Sequence, residues 1–188
     1  MYPSFTPLRS FSHLLIVIST CITLGSFVYP DILVYGMNTI FLRIQDYGSF
    51  AIQIVLYQFL HWGILHLALN SYFLYTAWPM VEIRMSPWMY RLFFVSNTLF
   101  CAVALLLFSS WNTIGISGFA MALLAYLFMD LRSVWHPIAW QLGIMLIINI
   151  GIGFTSGISL TGHAAGALFW YIWWMMTKKW LHQIIHAR

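Results

Sequence analysis

Residues 88–108 read WMYRLFFVSNTLFCAVALLLF, an apolar run in which Arg91 is the one charged residue. An α-helix needs about 20 mostly apolar residues to cross the hydrocarbon core of a bilayer. We therefore predict a membrane-spanning helix over this stretch. The interpretation of the rest of the chain depends on whether further stretches of the same kind surround it.

The composition of the whole chain favours a membrane protein. Of its 188 residues, 62% are hydrophobic and only 6% are charged, whereas soluble domains carry roughly 25% charged residues. A chain this short cannot bury so much apolar surface in one aqueous core. These numbers exclude a soluble globule, a disordered tail and a nucleic-acid-binding module, and they make the lipid bilayer the expected partner. The net charge of +4 is not evidence of nucleic-acid binding, because basic residues in a membrane protein report its orientation.

Five more apolar runs, separated by polar residues or by proline and glycine, complete a set of six predicted spans. The spans cover residues 11–29, 64–81, 88–108, 117–129, 137–154 and 161–181. The first run resembles a signal peptide, with Arg9 before it, but it is long and lacks a small-x-small cleavage site, so we expect a retained helix. We predict an all-α membrane protein with a single domain over residues 1–188.

The distribution of basic residues predicts the orientation. With six spans, both termini lie on one side, and that side collects Arg9, Arg84, Arg91, Arg132, Lys178, Lys179 and Arg188. The other side has only Arg43. The positive-inside rule then places both termini in the cytoplasm, and we expect a multi-pass protein of a bacterial inner (plasma) membrane. The first outer loop, residues 30–63, is long, and its apolar part at 52–60 is expected to lie in the interface or to dip into the outer leaflet.

The residue types that commonly bind metals are not arranged in a metal-binding motif in this sequence. Cys21 and Cys101 each lie inside an apolar run, which is more typical of two buried thiols than of a disulfide. The sequence contains no Cys/His finger spacing and no HExxH, and all four acids lie at or outside the predicted membrane edges. Zinc and aspartyl intramembrane chemistry are thereby disfavoured, and we expect no metal and no cofactor.

Polar side chains at membrane depth are costly and usually functional. Ser117 opens the fourth span between Gly115 and Gly118, and His163 lies among small residues near the outer start of the sixth. Ser117 is either a helix cap or a nucleophile beside the positive end of a helix. Small residues let these two helices pack closely, so a Ser117–His163 contact is either an interhelical hydrogen bond or a base-activated nucleophile.

His66 and Asn70 are spaced i, i+4 and therefore share one face of the second span. At the outer end of that span, both could stabilise negative charge on a carbonyl oxygen. The alternative is a polar stripe bonded to a neighbouring helix. A nucleophile, a base and two neutral donors near one membrane face, without an acid, indicate a Ser–His dyad rather than a triad. The site would face the outer side.

The motifs that contain these residues resemble those of the rhomboid family. His66-Leu67-Ala68-Leu69-Asn70 is similar to HxxxN, Gly115-Ile116-Ser117-Gly118 to GxSG, and Gly162-His163-Ala164-Ala165-Gly166 to (A/G)HxxG. They occur in that order on spans two, four and six, so the resemblance covers nearly the whole chain.

The resemblance implies a six-transmembrane-helix rhomboid-like bundle and an intramembrane serine endopeptidase. Ser117 would be the nucleophile, His163 the general base and acid, and His66, Asn70 and the Ser117 backbone N–H the oxyanion hole. Gly115, Gly118, Gly166 and His61 would be structural supports. The substrate would be a membrane protein with a transmembrane segment that unwinds easily near the outer leaflet.

The chain departs from the family pattern at several positions. Ile52-Gln53 replaces a Trp-Arg pair, Met121 replaces a tyrosine, Trp170 replaces a glycine, and no glycine follows Glu82. The small size also resembles the rhombosortase branch, which processes a C-terminal sorting segment. Two rival functions remain at this point: a non-catalytic binder of membrane segments, and a haem- or metal-binding membrane protein that uses His66 and His163.

Overall fold

The computed structural model describes residues 10–82, 84–154 and 158–186. Every regular element in these ranges is helical, and β pairing there is limited to one antiparallel bridge between Met37 and Thr113. The elements are α1 Phe11–Val28, a 3-10 helix Pro30–Tyr35, α2 Ile40–Arg43, α3 Tyr47–Leu56, α4 Ile64–Glu82, α5 Pro87–Phe108, α6 Ser117–Ser133, α7 Ile138–Ile152 and α8 Leu160–His186. The prediction of an all-α fold is confirmed.

Local sequence signals set several helix starts. The Ser10 hydroxyl accepts a hydrogen bond from the backbone N–H of His13 at 3.2 Å and caps α1. The Ser86 hydroxyl caps α5 in the same way, with Pro87 in the first turn, where its missing N–H costs nothing. These caps satisfy backbone donors that a helix start otherwise leaves unpaired.

Helices α1, α4, α5, α6, α7 and α8 occupy the six apolar stretches for which spans are predicted. Within the described part of the chain, α1 and α5 combine at least 18 residues with a hydropathy suited to crossing a membrane. Helix α7 is apolar but shorter. The six-span count and the single-domain organisation stay predictions. Of the residues used to predict the orientation, Arg9 and Arg188 lie outside the described residues, as do the side chains of Lys178 and Lys179.

Helix α6 forms the centre of the bundle. Every residue from Phe119 to Ala125 is at least 96% buried, because α6 packs against α4, α5, α7 and α8. A helix that is apolar on all sides is expected in such a central position. Its first residue, Ser117, therefore lies where the ends of several helices meet.

The long first loop is folded onto the segment that precedes α6. Met37 and Thr113 exchange backbone hydrogen bonds of 2.6 and 3.0 Å. The side-chain amide of Asn112 donates to the Leu33 carbonyl at 2.9 Å, and the fully buried Gln53 donates to the Gly36 carbonyl. The position of this loop relative to a bilayer stays a prediction.

Arg84 and Asp130 mark the opposite end of the bundle from Ser117. The Arg84 guanidinium donates to the Asp130 carboxylate at 2.6 Å, and Asp130 lies in the last turn of α6. At about 1.5 Å per helical residue, Ser117 and Asp130 are roughly 20 Å apart along the helix axis.

Candidate active site

Ser117 is the first residue of α6 and lies just after a glycine in a left-handed conformation. Gly115 has φ +113°, a value that L side chains rarely adopt. The N-cap position is Ile116, which supplies no side-chain hydrogen bond. The alternative interpretation of Ser117 as the helix cap is therefore wrong. The half-buried Ser117 hydroxyl makes no hydrogen bond among the described residues.

Close backbone packing joins α6 and α8 beside Ser117 and His163. A Cβ placed on Gly118 would lie 3.3 Å from the Gly162 carbonyl oxygen. A Cβ placed on Gly166 would overlap the Gly118 carbonyl oxygen and lie 2.7 Å from the carbonyl carbon. Ser117 directly precedes Gly118, and His163 directly follows Gly162, so the two side chains lie at the same level of the bundle.

The structure brings Ser117 and His163 to this common level without a hydrogen bond between them. Among the described residues, the His163 ring makes a hydrogen bond to α7 and none to Ser117. Catalytic hydrogen bonds are often long or poorly aligned until substrate binds. The arrangement therefore remains compatible with proton transfer from the hydroxyl to the ring.

The buried ring of His163 is held by the backbone of α7. Its Nδ1 lies 2.7 Å from the Asn149 carbonyl oxygen. A carbonyl can only accept, so Nδ1 carries the hydrogen and the neutral ring keeps a lone pair on Nε2. That nitrogen can accept a proton. The sequence reasoning missed this partner, because a backbone carbonyl has no residue type by which to recognise it.

His66 and Asn70 converge on Gly115, two residues before Ser117. A Cβ on Gly115 would lie 3.0 Å from Nε2 of His66 and 3.7 Å from Nδ2 of Asn70. Asn70 is 8% exposed, and its buried Nδ2 has no hydrogen-bond partner in the part of the chain that the structure describes. An unpaired buried donor is costly, so a polar acceptor at this position would be favourable.

His61 lies behind His66. The centroids of the two rings are 4.9 Å apart, with an edge-on angle of 71°. Nδ1 of His61 lies 3.2 Å from the Thr23 hydroxyl of α1. Burial, followed by the neighbouring His66, lowers the pKa of His61 to about 4. His61 is therefore neutral at pH 7 and packs against His66 as an uncharged ring.

A small cavity opens beside Ser117 on the α5 side. Its volume is about 10 Å³, roughly the room that one water molecule needs. Tyr57, Gln58, Cys101, Gly115, Ser117 and Gly162 contribute to its lining. The side-chain amide of Gln58 is buried, and neither of its polar atoms has a hydrogen bond of normal geometry to another described residue. The sequence reasoning missed Gln58, although a glutamine within the apolar stretch 52–60 is itself a signal.

Two of the residues that depart from the family pattern, Met121 and Trp170, have packing roles. Met121 is buried against Phe73 of α4 and Leu142 of α7. The Trp170 ring packs edge-on to Tyr126 with the centroids 6.3 Å apart, and this contact fills the space between α6 and α8 one turn beyond Gly166. Within the described ranges, no three His, Cys, Asp or Glu side chains form a group that could bind a metal ion.

Comparison with known proteins gives two matches. The family model described as Rhomboid domain matches residues 49–179, a range that contains all eight predicted site residues. The Rhomboid protease GluP of Bacillus subtilis (strain 168) is 29% identical to this chain over 114 residues, which cover 58% of this chain and 22% of that protein. The match thus spans about a fifth of the length of that relative.

Proposed function

This chain belongs to the rhomboid family, and on that premise we propose that it is an intramembrane serine endopeptidase with a Ser117–His163 dyad. The family and the apolar helices indicate an integral membrane protein of an intramembrane protease family. The finer assignment of residues, substrate and orientation is our proposal.

The proposed reaction begins with attack of the Ser117 hydroxyl oxygen on the carbonyl carbon of the scissile peptide bond. Nε2 of His163 takes the hydroxyl proton during the attack and then gives it to the departing amine, which leaves an acyl-enzyme. Water attacks the ester and passes a proton to His163, and the Ser117 oxygen leaves with that proton. The available lone pair on Nε2 supports this role, because Nδ1 is bonded to the Asn149 carbonyl.

The oxyanion would be held by His66, Asn70 and the backbone N–H of Ser117. The unpaired Nδ2 of Asn70 and the nearby Nε2 of His66 both lie next to Gly115. The N–H of Ser117 is in the first turn of α6, where backbone donors lack helical partners. Each such donor typically contributes about 10²–10³ to kcat.

The observation that carries the proposal is the convergence of two distant segments, α4 and α8, on residues 115–118. Side chains of α4 contact Gly115, the backbone of α8 contacts Gly118, and Ser117 lies between these contacts. A binder of membrane segments needs no such combination of a free hydroxyl, a base and unpaired donors. This combination favours catalysis over the non-catalytic alternative.

The proposed substrate is a membrane protein that offers extended backbone near the outer leaflet. A peptide bond inside a helix is shielded, so the cleaved segment has to unwind. We propose either a transmembrane segment or a C-terminal sorting segment, cleaved on the outer side of a bacterial inner membrane with both termini of the enzyme in the cytoplasm. No cofactor takes part in the proposed reaction.

The test is cleavage of a fluorescent single-span reporter protein in proteoliposomes by the purified full chain. Ser117→Ala should abolish cleavage and labelling by a fluorophosphonate probe while the variant still folds. Ser133→Ala, at the other end of α6, is the matched control and should cleave normally. Normal cleavage by Ser117→Ala would exclude the mechanism. Absence of cleavage and labelling in the wild type, with retained reporter binding, would favour the non-catalytic binder, and a Soret band dependent on His163 would favour haem binding.

A further inference from the structure

We propose that the last turn of α7 is the orienting partner of the catalytic base, through the backbone carbonyl of Asn149. The inference rests on the proposed function of His163 and adds a third member to the dyad. In a Ser–His–Asp triad, a buried carboxylate receives the second ring N–H of the histidine and fixes its tautomer. In this chain, the Asn149 carbonyl near the C-terminal end of α7 receives the ring N–H of His163 instead.

The last turn of α7 contains backbone carbonyls that can accept hydrogen bonds from outside the helix. The last four carbonyls of a helix lack partners within it, and α7 ends at Ile152. Among these, the Ile150 carbonyl accepts from Gly153 N–H at 3.0 Å, and the Gly151 carbonyl accepts from Phe154 N–H at 3.1 Å. The Asn149 carbonyl accepts from Nδ1 of His163 at 2.7 Å. This bond gives the Asn149 carbonyl a donor and the Nδ1–H of His163 an acceptor.

The same geometry suits the charge that develops in the reaction. When Nε2 of His163 takes the Ser117 proton, the ring becomes an imidazolium. The C-terminal end of a helix carries a partial negative charge of roughly half an elementary charge. The positive ring therefore forms against the negative end of α7.

The three carboxylates whose side chains the structure describes do not take this role. Asp31 and Asp46 are exposed in the first loop, and Asp130 pairs with Arg84 at the other end of the bundle. The neighbouring turn of α6 is apolar, because Met121 packs there against Leu142 of α7. The Asn149 carbonyl is the polar partner that holds the ring.

The chain contains a matched pair of glycines that can test this coupling. A Cβ on Gly153 would lie 2.6 Å from Cα and 2.9 Å from N of Leu160, so Gly153→Ala forces the end of α7 away from the start of α8. A Cβ on Gly151 would meet nothing within 4 Å.

The first measurement is the ¹⁵N spectrum of the full chain labelled with ¹⁵N-histidine, with His163→Gln used to assign the His163 signals. We expect the proton on Nδ1 and a bare Nε2 in the wild type and in Gly151→Ala. A wild-type spectrum with the proton on Nε2 would overturn the proposal. This readout needs no catalysis, so its failure is distinct from normal cleavage by Ser117→Ala, which would instead overturn the proposed function.

The second measurement is the kinetics of the same variants. Displacement of a catalytic group by about 1 Å can cost about 100-fold, so we expect Gly153→Ala to lose about 100-fold in kcat with little change in KM and to lose the single tautomer. Gly151→Ala should stay within about threefold of the wild type in kcat and should keep the wild-type tautomer, since it does not move the Asn149 carbonyl. If Gly153→Ala folds and keeps the kcat and tautomer of Gly151→Ala, the proposal is wrong. If Gly153→Ala does not fold, the wild-type ¹⁵N spectrum tests the proposal by itself: a proton on Nδ1 supports it and a proton on Nε2 overturns it.

Discussion

Gly166 of α8 lies against the backbone of Gly118 of α6 with no room for a methyl group between them. This contact is closest one residue after Ser117 and three residues after His163. Because glycine has no Cβ, the two helix backbones approach as far as their main-chain atoms allow. The distance between the proposed nucleophile and the proposed base therefore depends on Gly118 and Gly166, each of which has a hydrogen atom in place of a side chain.

The first prediction concerns this contact. Gly166→Ala should lower both stability and activity, because a Cβ at this position would lie 3.0 Å from the Gly118 Cα and overlap its carbonyl oxygen. Overpacking of this kind costs about 1–3 kcal/mol. Thermal unfolding in detergent and reporter cleavage measure the two effects. Gly25→Ala is the control, since a Cβ on Gly25 meets nothing within 4 Å, and equal losses in the two variants would contradict the argument.

The second prediction concerns the proposed oxyanion hole. Asn70→Ala should lower kcat by about 10²–10³ with little change in KM, because the Nδ2 donor would act mainly on charge that develops in the transition state. Leu69→Ala is the control, since Leu69 is a neighbour on α4 whose side chain is 62% exposed. Steady-state kinetics on the reporter would separate the two constants. A rise in KM with an unchanged kcat would assign Asn70 to substrate binding instead.

The third prediction concerns pH and His61. Its folded-state pKa of about 4, lowered by burial and then by His66, is below the ordinary value of roughly 6.5. As the pH falls, His61 therefore takes up a proton in the unfolded chain before it does so in the folded chain. The neutral His61 ring therefore makes its full contribution to the free energy of unfolding above about pH 6.5. This contribution is lost as the pH falls from 6.5 towards 4, and below pH 4 the titration of His61 changes the free energy of unfolding no further. The loss is at most about 3 kcal/mol.

Thermal unfolding between pH 7.5 and 4.5 tests this sign. The wild type should lose stability more steeply than His61→Gln as the pH falls through this range, even though His61→Gln is less stable at pH 7.5 because it loses the contact with His66. Parallel curves for the wild type and His61→Gln would show that His61 does not resist protonation.

The fourth prediction concerns orientation. Trp111 is 80% exposed in the segment before Ser117, and Val134 is 67% exposed just after α6, at the opposite end. In a Cys21→Ala background, Trp111→Cys should react with a membrane-impermeant maleimide on intact cells. Val134→Cys should react only after the cells are broken. The reverse pattern would place the proposed site on the cytoplasmic side.

Much of the fold was predictable because membrane helices follow one-dimensional rules. Apolar runs of sufficient length give the helices, and capping residues such as Ser10 and Ser86 give their starts. The helix ends were less predictable. Helix α6 continues to Ser133, past the apolar stretch 117–129, because helical hydrogen bonding does not require apolar side chains. The course of the first loop depends on long-range bonds such as Met37 to Thr113, which local sequence does not encode.

The sequence by itself determined the chemistry that is available: a hydroxyl at Ser117, an imidazole at His163, and amide and imidazole donors one helical turn apart at Asn70 and His66. Their residue types and spacing predict the family, which the Rhomboid domain match confirms, and they predict the site. Only the tertiary structure decided that a backbone carbonyl of α7 holds His163 and that the Gln58 amide borders a cavity beside Ser117. The physical reason is that every residue has a carbonyl, so its role is set by where the helix ends and which ring lies beside it.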